Sequence, residues 1–181
     1  MDVSIGLIEF TSIACGIEAS DVMLKAAHVT LDFAKPVCPG KFIVMVHGEI
    51  GAIEAAIKAG LAARPTVVNH LVIPRTHPDL IPAVNATLPA PDPAALGVVE
   101  YFDITSAVIG ADTAAKASNI ALIEVRLGMG IGGKSFVKLT GQVSDVTTAV
   151  KAAERLSHDQ GSLVSTCVIP SPSPALFREM L

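Results

Sequence analysis

Ile5-Gly6-Leu7-Ile8-Glu9-Phe10 returns, 91 positions further along the chain, as Leu96-Gly97-Val98-Val99-Glu100-Tyr101. Ala19-Ser20-Asp21 returns at the same spacing as Gly110-Ala111-Asp112, and Lys25-Ala26-Ala27-His28-Val29 as Lys116-Ala117-Ser118-Asn119-Ile120. Gly40-Lys41 then matches Gly133-Lys134, and Gly48 matches Gly141, at a spacing of 93. The second copy therefore carries two extra residues in the loop before that point. Val72-Ile73-Pro74 matches Val168-Ile169-Pro170 at a spacing of 96. Such a period is too long for a solenoid unit and defines two tandem copies of one small domain. Leu88-Pro89-Ala90-Pro91-Asp92-Pro93 reads as a stiff, proline-rich connection between them. The expected boundaries are a first domain over 3–87, a linker over 88–94 and a second domain over 95–181.

Each copy reads as β-α-β-β-α-β. Residues 3–11 are apolar and β-rich, and 18–28 place Val22, Met23, Ala26 and Ala27 at helical spacing. Strands are expected over 29–33 and 42–47, a helix over 52–63, and a strand over 66–73 that Pro74 ends. The second copy predicts strands over 96–101, 120–126, 135–140 and 163–169, with helices over 107–118 and 143–157. The fold class is α/β in the broad sense: an α+β, ferredoxin-like split βαβ plan, twice over, with helices on one face of each sheet.

The composition narrows the function. Of 181 residues, 51% are hydrophobic and 17% charged, and mean hydropathy is positive. Such a chain is expected to bury extra surface in an obligate oligomer. No run is long enough to span a membrane, since the apolar 42–46 stretch is followed by His47 and Glu49. No basic segment precedes an apolar core, so no secretory leader is expected. A net charge of −4 without a basic cluster argues against nucleic acid as a partner. Three cysteines, Cys15, Cys38 and Cys167, have no metal-ligand spacing and suit a reducing cytosol.

Lys35-Pro36-Val37-Cys38-Pro39-Gly40-Lys41 stands out chemically. Proline fixes φ on either side of the thiol, and glycine supplies the turn. Cys38 is thus expected on a stiff, exposed hairpin tip. One such thiol cannot hold a metal centre alone: it is either an incidental loop thiol or a ligand that the symmetry of an oligomer would complete. The second copy has Gly128-Met129-Gly130-Ile131-Gly132-Gly133 there and offers no thiolate. Its resemblance to a phosphate-cradling loop is weak, because Gly133-Lys134-Ser135 enters a strand. Cys15 and Cys167 read as small buried residues. His47, His70 and His77 read as structural. Glu9 and Glu100 recur through duplication, and no catalytic set stands out.

Both copies resemble the bacterial microcompartment shell domain. The motifs are Ile5-Gly-Leu-Ile-Glu9, Ala19-Ser-Asp-Val-Met-Leu-Lys-Ala-Ala27, Gly48-Glu-Ile-Gly-Ala52 and Val72-Ile-Pro-Arg-Thr-His77. Within that family, Cys38-Pro39-Gly40-Lys41-Phe42 and Gly130-Ile131-Gly132-Gly133-Lys134 resemble the tandem-domain shell proteins of the propanediol-utilisation compartment. The resemblance implies a homotrimer, a pseudohexagonal tile that packs beside other shell proteins in a compartment within the cytoplasm, with no catalysis of its own. It implies pore loops at Val37, Pro39, Gly40, Met129, Gly130, Ile131, Gly132 and Gly133, and tile-edge contacts at Lys25, Arg75 and Lys116. Ser171 replaces the edge arginine in the second copy. It also implies an iron–sulfur centre with Cys38 as metal ligand. On a threefold axis, one thiol per chain becomes three, which suits one 4Fe-4S cluster per trimer whose fourth ligand the sequence does not name. Lys41 is expected to add positive charge beside it. The cluster would pass electrons across the shell to encapsulated redox enzymes, or supply clusters to them. The alternatives are a plain metabolite pore without a cluster, and a soluble iron–sulfur redox protein.

Overall fold

A computed structural model describes residues 3–63, 66–89, 92, 94–158 and 161–181. The contact pattern divides the chain into two compact units, Met1–Thr76 and His77–Leu181. In the first, β1 (Ser4–Phe10), α1 (Ile13–Ala26), β2 (Thr30–Val37), β3 (Lys41–Gly48), α2 (Ile50–Ala63) and β4 (Val67–Ile73) follow in order. The second holds α3 (Leu80–Val84), β5 (Ala95–Tyr101), α4 (Ile104–Ala117), β6 (Ile120–Leu127), β7 (Ser135–Gly141), α5 (Val143–His158), β8 (Leu163–Ile169) and α6 (Pro174–Glu179). The sheets run β2-β3-β1-β4 and β6-β7-β5-β8, and the strand pairs are antiparallel. This is the split βαβ order that the repeat predicts.

The unit boundary lies earlier than the sequence suggests. Residues 77–87, expected to close the first domain, pack with the second unit, where α3 lies against β6 and α4. Part of the 88–94 linker lies outside the described residues. The α1 helix starts five residues before its expected position, at Ile13, because Ser12 caps it by accepting from the Cys15 N–H at 3.4 Å. Asp103 caps α4 in the same way, accepting from the Ser106 N–H at 2.8 Å. Proline is tolerated at Pro36, inside β2, because β2 is an edge strand and needs no ladder N–H there.

The cores of the two copies differ by compensating changes. In the first, Phe10 and Ala19 are fully buried. In the second, Tyr101 replaces Phe10 and Gly110 replaces Ala19. A Cβ on Gly110 would lie 1.9 Å from the Tyr101 hydroxyl and 2.6 Å from its ring carbon Cζ. The buried hydroxyl therefore demands the missing methyl. Gly110→Ala is expected to destabilise the protein by about 1–3 kcal/mol, the usual cost of overpacking. Adding Tyr101→Phe should recover most of that loss. Denaturant midpoints of the single and double variants test the coupling.

On the face of the second sheet opposite α5, Glu124 takes hydrogen bonds from Lys138 Nζ at 2.8 Å and Arg126 Nε at 2.6 Å. Burial pushes its carboxyl up, but these two donors outweigh burial and hold it below the ordinary 4.5. A lowered folded value adds stability that is present above the unfolded value and lost as pH falls through the folded one. Glu124→Gln should therefore cost about 1–3 kcal/mol at neutral pH and progressively less as pH drops below 4.5. Unfolding curves of both proteins at several pH values measure the difference.

Candidate functional site

Strands β2 and β3 run right up to the thiol. Val37 pairs with Lys41, leaving Cys38, Pro39 and Gly40 as a three-residue turn. The Gly40 N–H donates to the Val37 carbonyl at 3.0 Å, and Gly40 adopts φ 92, which favours glycine. The Cys38–Pro39 peptide is cis. Val37 is buried, Cys38 half-buried, and Pro39 and Gly40 exposed. The tip expected to be exposed is thus anchored on one side, with Cys38 half-buried. Among the described residues no group of three or more His, Cys, Asp or Glu side chains could hold a metal ion. One chain therefore offers a single soft donor on a stiff turn, which fits a thiophilic centre only when other copies complete it.

The matching loop of the second copy is closed by Gly128 N–H donating to the Lys134 carbonyl at 3.1 Å. Gly128, Gly130, Gly132 and Gly133 all have positive φ. A Cβ on Gly130 or Gly132 would meet nothing within 4 Å. Glycine is thus required there for conformation, not for space. Met129 is 51% exposed.

A pair of lysines at the roots of these loops corrects one expectation. Lys41 Nζ lies 2.9 Å from Glu9 Oε1, and Lys134 Nζ lies 2.8 Å from Glu100 Oε1. Lys41 therefore does not offer a free positive charge beside Cys38; Glu9 takes it up. Lys35, on the other side of the turn, places its ammonium 4.4 Å from the Phe33 ring centre. Burial lowers the pKa of Lys35 from its ordinary 10.5.

The remaining thiols are not the small buried residues expected. Cys15 is half-buried in the first turn of α1, and Cys167 is exposed on β8, an edge strand. The expected edge residues lie elsewhere again. Lys25 and Lys116 sit in the last turns of α1 and α4, each bridged to an aspartate one turn earlier, Asp21 and Asp112. Arg75 holds φ 48, uncommon for a side-chain-bearing residue. It borders a cleft of about 900 Å³ together with His28 and His47. His47 is fixed by Asp32 at 2.8 Å, and Asp32 is pushed above its ordinary 3.8 by burial, against the opposing pull of His47. The second copy has Asn119, Thr140 and Ser171 at these cleft positions, so the two copies present different chemistry there.

Two split βαβ sheets grown from one duplicated sequence define a tandem-domain α+β protein. The BMC domain model matches residues 4–76 and 95–172, and the chain belongs to this family of bacterial microcompartment shell proteins. It is 41% identical over 182 residues to the bacterial microcompartment shell protein PduT of Citrobacter freundii, covering 100% of this chain and 99% of the relative. It is 42% identical over 80 residues to the shell protein EutM of Salmonella typhimurium, which spans 42% of this chain. A crystal structure of a microcompartments protein from Desulfitobacterium hafniense superposes with a TM-score of 0.94 at 48% identity, over 98% of this chain and 99% of that one. This is a shell tile of a bacterial microcompartment. Among the described residues no helix is long and apolar enough to cross a membrane.

Proposed function

We propose that the chain forms a homotrimeric tile whose central opening holds one 4Fe-4S cluster on three copies of Cys38. The observation that carries this reading is the half-buried thiol at the tip of a three-residue turn, present in one copy of the repeat and absent from the other. One thiol per chain is a useful ligand set only around a symmetry axis. A second feature supports a ring of copies. Ile13, Ile17 and Leu24 form an exposed stripe on α1, whereas the matching Ile104, Val108 and Ala115 of α4 are buried. Duplication gave both helices the same stripe, and another copy of the chain covers the one left open.

When bound, such a cluster supplies one-electron transfer. The protein's part is to hold it. The Gly40 bond to Val37 and the proline ring hold the backbone that carries Cys38 in place relative to the sheet. Val37, buried, shields the base of the turn from water. With three thiolates, one iron lacks a cysteine ligand and stays open to a small donor. Encapsulated redox enzymes are the partners for the electron, or for the cluster itself.

Anaerobic purification tests this directly. A brown trimer with about four iron and four sulfide per three chains is expected. A colourless trimer would leave a plain metabolite pore, and a coloured monomer would point to a soluble redox protein.

A further inference from the structure

We infer that Glu9 is a positioning residue for the Cys38 turn: by pinning Lys41 it fixes the root of the turn and cancels the lysine charge beside the thiol. The inference rests on the cluster reading above, which it deepens by naming the residue that tunes the centre.

Both copies keep the glutamate–lysine pair, at 2.9 Å and 2.8 Å, but they keep it in different surroundings. Glu100 is 34% and Lys134 46% exposed, so water screens that pair. Glu9 is 1% and Lys41 29% exposed. The second Glu9 oxygen, Oε2, is buried with no hydrogen-bond partner among the described residues. Leaving a carboxylate oxygen unsatisfied costs stability, and a loop root needs no such group. The desolvated version of the pair occurs in the copy that has the thiol. Lys41 lies three residues beyond Cys38 in the sequence and opposite Val37 in the strand register. The hydrogen bond that closes the turn, Gly40 N–H to Val37 carbonyl, spans the same short segment.

The charge arithmetic follows. A thiolate-ligated cluster is anionic and becomes more so on reduction. A free ammonium nearby favours the reduced state and raises the potential. Glu9 removes most of that effect, because its carboxylate pairs with the ammonium in a site of low dielectric.

The test uses the anaerobically purified trimer as native protein, Glu9→Gln, Lys41→Met and the double variant. Iron content, midpoint potential and amide exchange at Gly40 and Lys41 are measured for each. Glu9→Gln is expected to keep its iron, shift the potential in the positive direction and quicken exchange at Gly40 several-fold. The double variant, which removes both charges at similar size, should return the potential to near the native value. Equal shifts in Glu9→Gln and the double variant would mark a merely structural role and overturn the charge assignment. Unchanged potential and unchanged exchange in Glu9→Gln would overturn the inference whole. Where Glu9→Gln loses iron, the double variant must retain it, and loss in both also overturns the charge assignment. A native trimer without iron rejects the cluster reading instead, and the exchange rates, which need no iron, then decide the positioning role alone.

Discussion

Cys38→Ser is expected to strip the protein of its visible absorbance and bound iron while leaving its fold and trimer mass unchanged. Serine is close in size to cysteine, and Cys38 lies outside the buried core of its unit. The turn keeps its Gly40–Val37 hydrogen bond, which uses backbone atoms only. What changes is the donor: a thiolate is soft and forms readily near neutral pH, and an alcohol is neither. Cys15→Ala and Cys167→Ala should keep the full iron complement, because those residues sit on α1 and β8 rather than on the turn. Iron analysis, absorbance and light scattering on the three variants decide the matter. A full iron complement in Cys38→Ser would refute the central assignment.

Most strands were legible as short β-rich apolar runs bounded by turn residues, and the repeat set β1 against β5; β2, expected over 29–33, runs on to Val37 because Lys35 and Pro36 break the apolar run without ending the strand. The thiol turn was legible because Pro36, Pro39 and Gly40 are local devices whose effect needs no tertiary information. The short helices α3 and α6 were not. They have five and six residues, and Pro82 interrupts α3, so no helical period can build up. The start of α1 was missed although its signal, Ser12 before an apolar residue, stands in the sequence. The Glu9–Lys41 pair joins residues 32 positions apart. It becomes visible only when the register sets Phe10 opposite Phe42. A clue was nevertheless present, since both members of the pair recur together as Glu100 and Lys134. Duplication explains why a residue recurs, not why two partners are retained together. Cys167 misled for a related reason: free cysteine is usually buried, but β8 is an edge strand and exposes that position.

Ile17→Asp is expected to turn the trimer into a folded monomer, and the matching change in the other copy, Val108→Asp, is expected to prevent folding. Ile17 is 57% exposed within one chain, so a charge there finds water and each unit keeps its core. In the ring proposed above, the same side chain is the one a neighbouring copy would cover. Burying an unpaired carboxylate against an apolar surface costs several kcal/mol, and the lost isoleucine contact adds about 1.5–3 kcal/mol per interface. The proposed cyclic trimer would repeat that loss at three interfaces. Val108 has the equivalent position on α4 but is fully buried within the chain, so its charge has nowhere to go before any assembly occurs. Circular dichroism separates the two outcomes, and light scattering at micromolar concentration gives the mass. A monomeric Ile17→Asp chain should also be colourless after anaerobic purification, since three Cys38 thiols no longer meet. A folded Ile17→Asp trimer would show that another surface closes the ring.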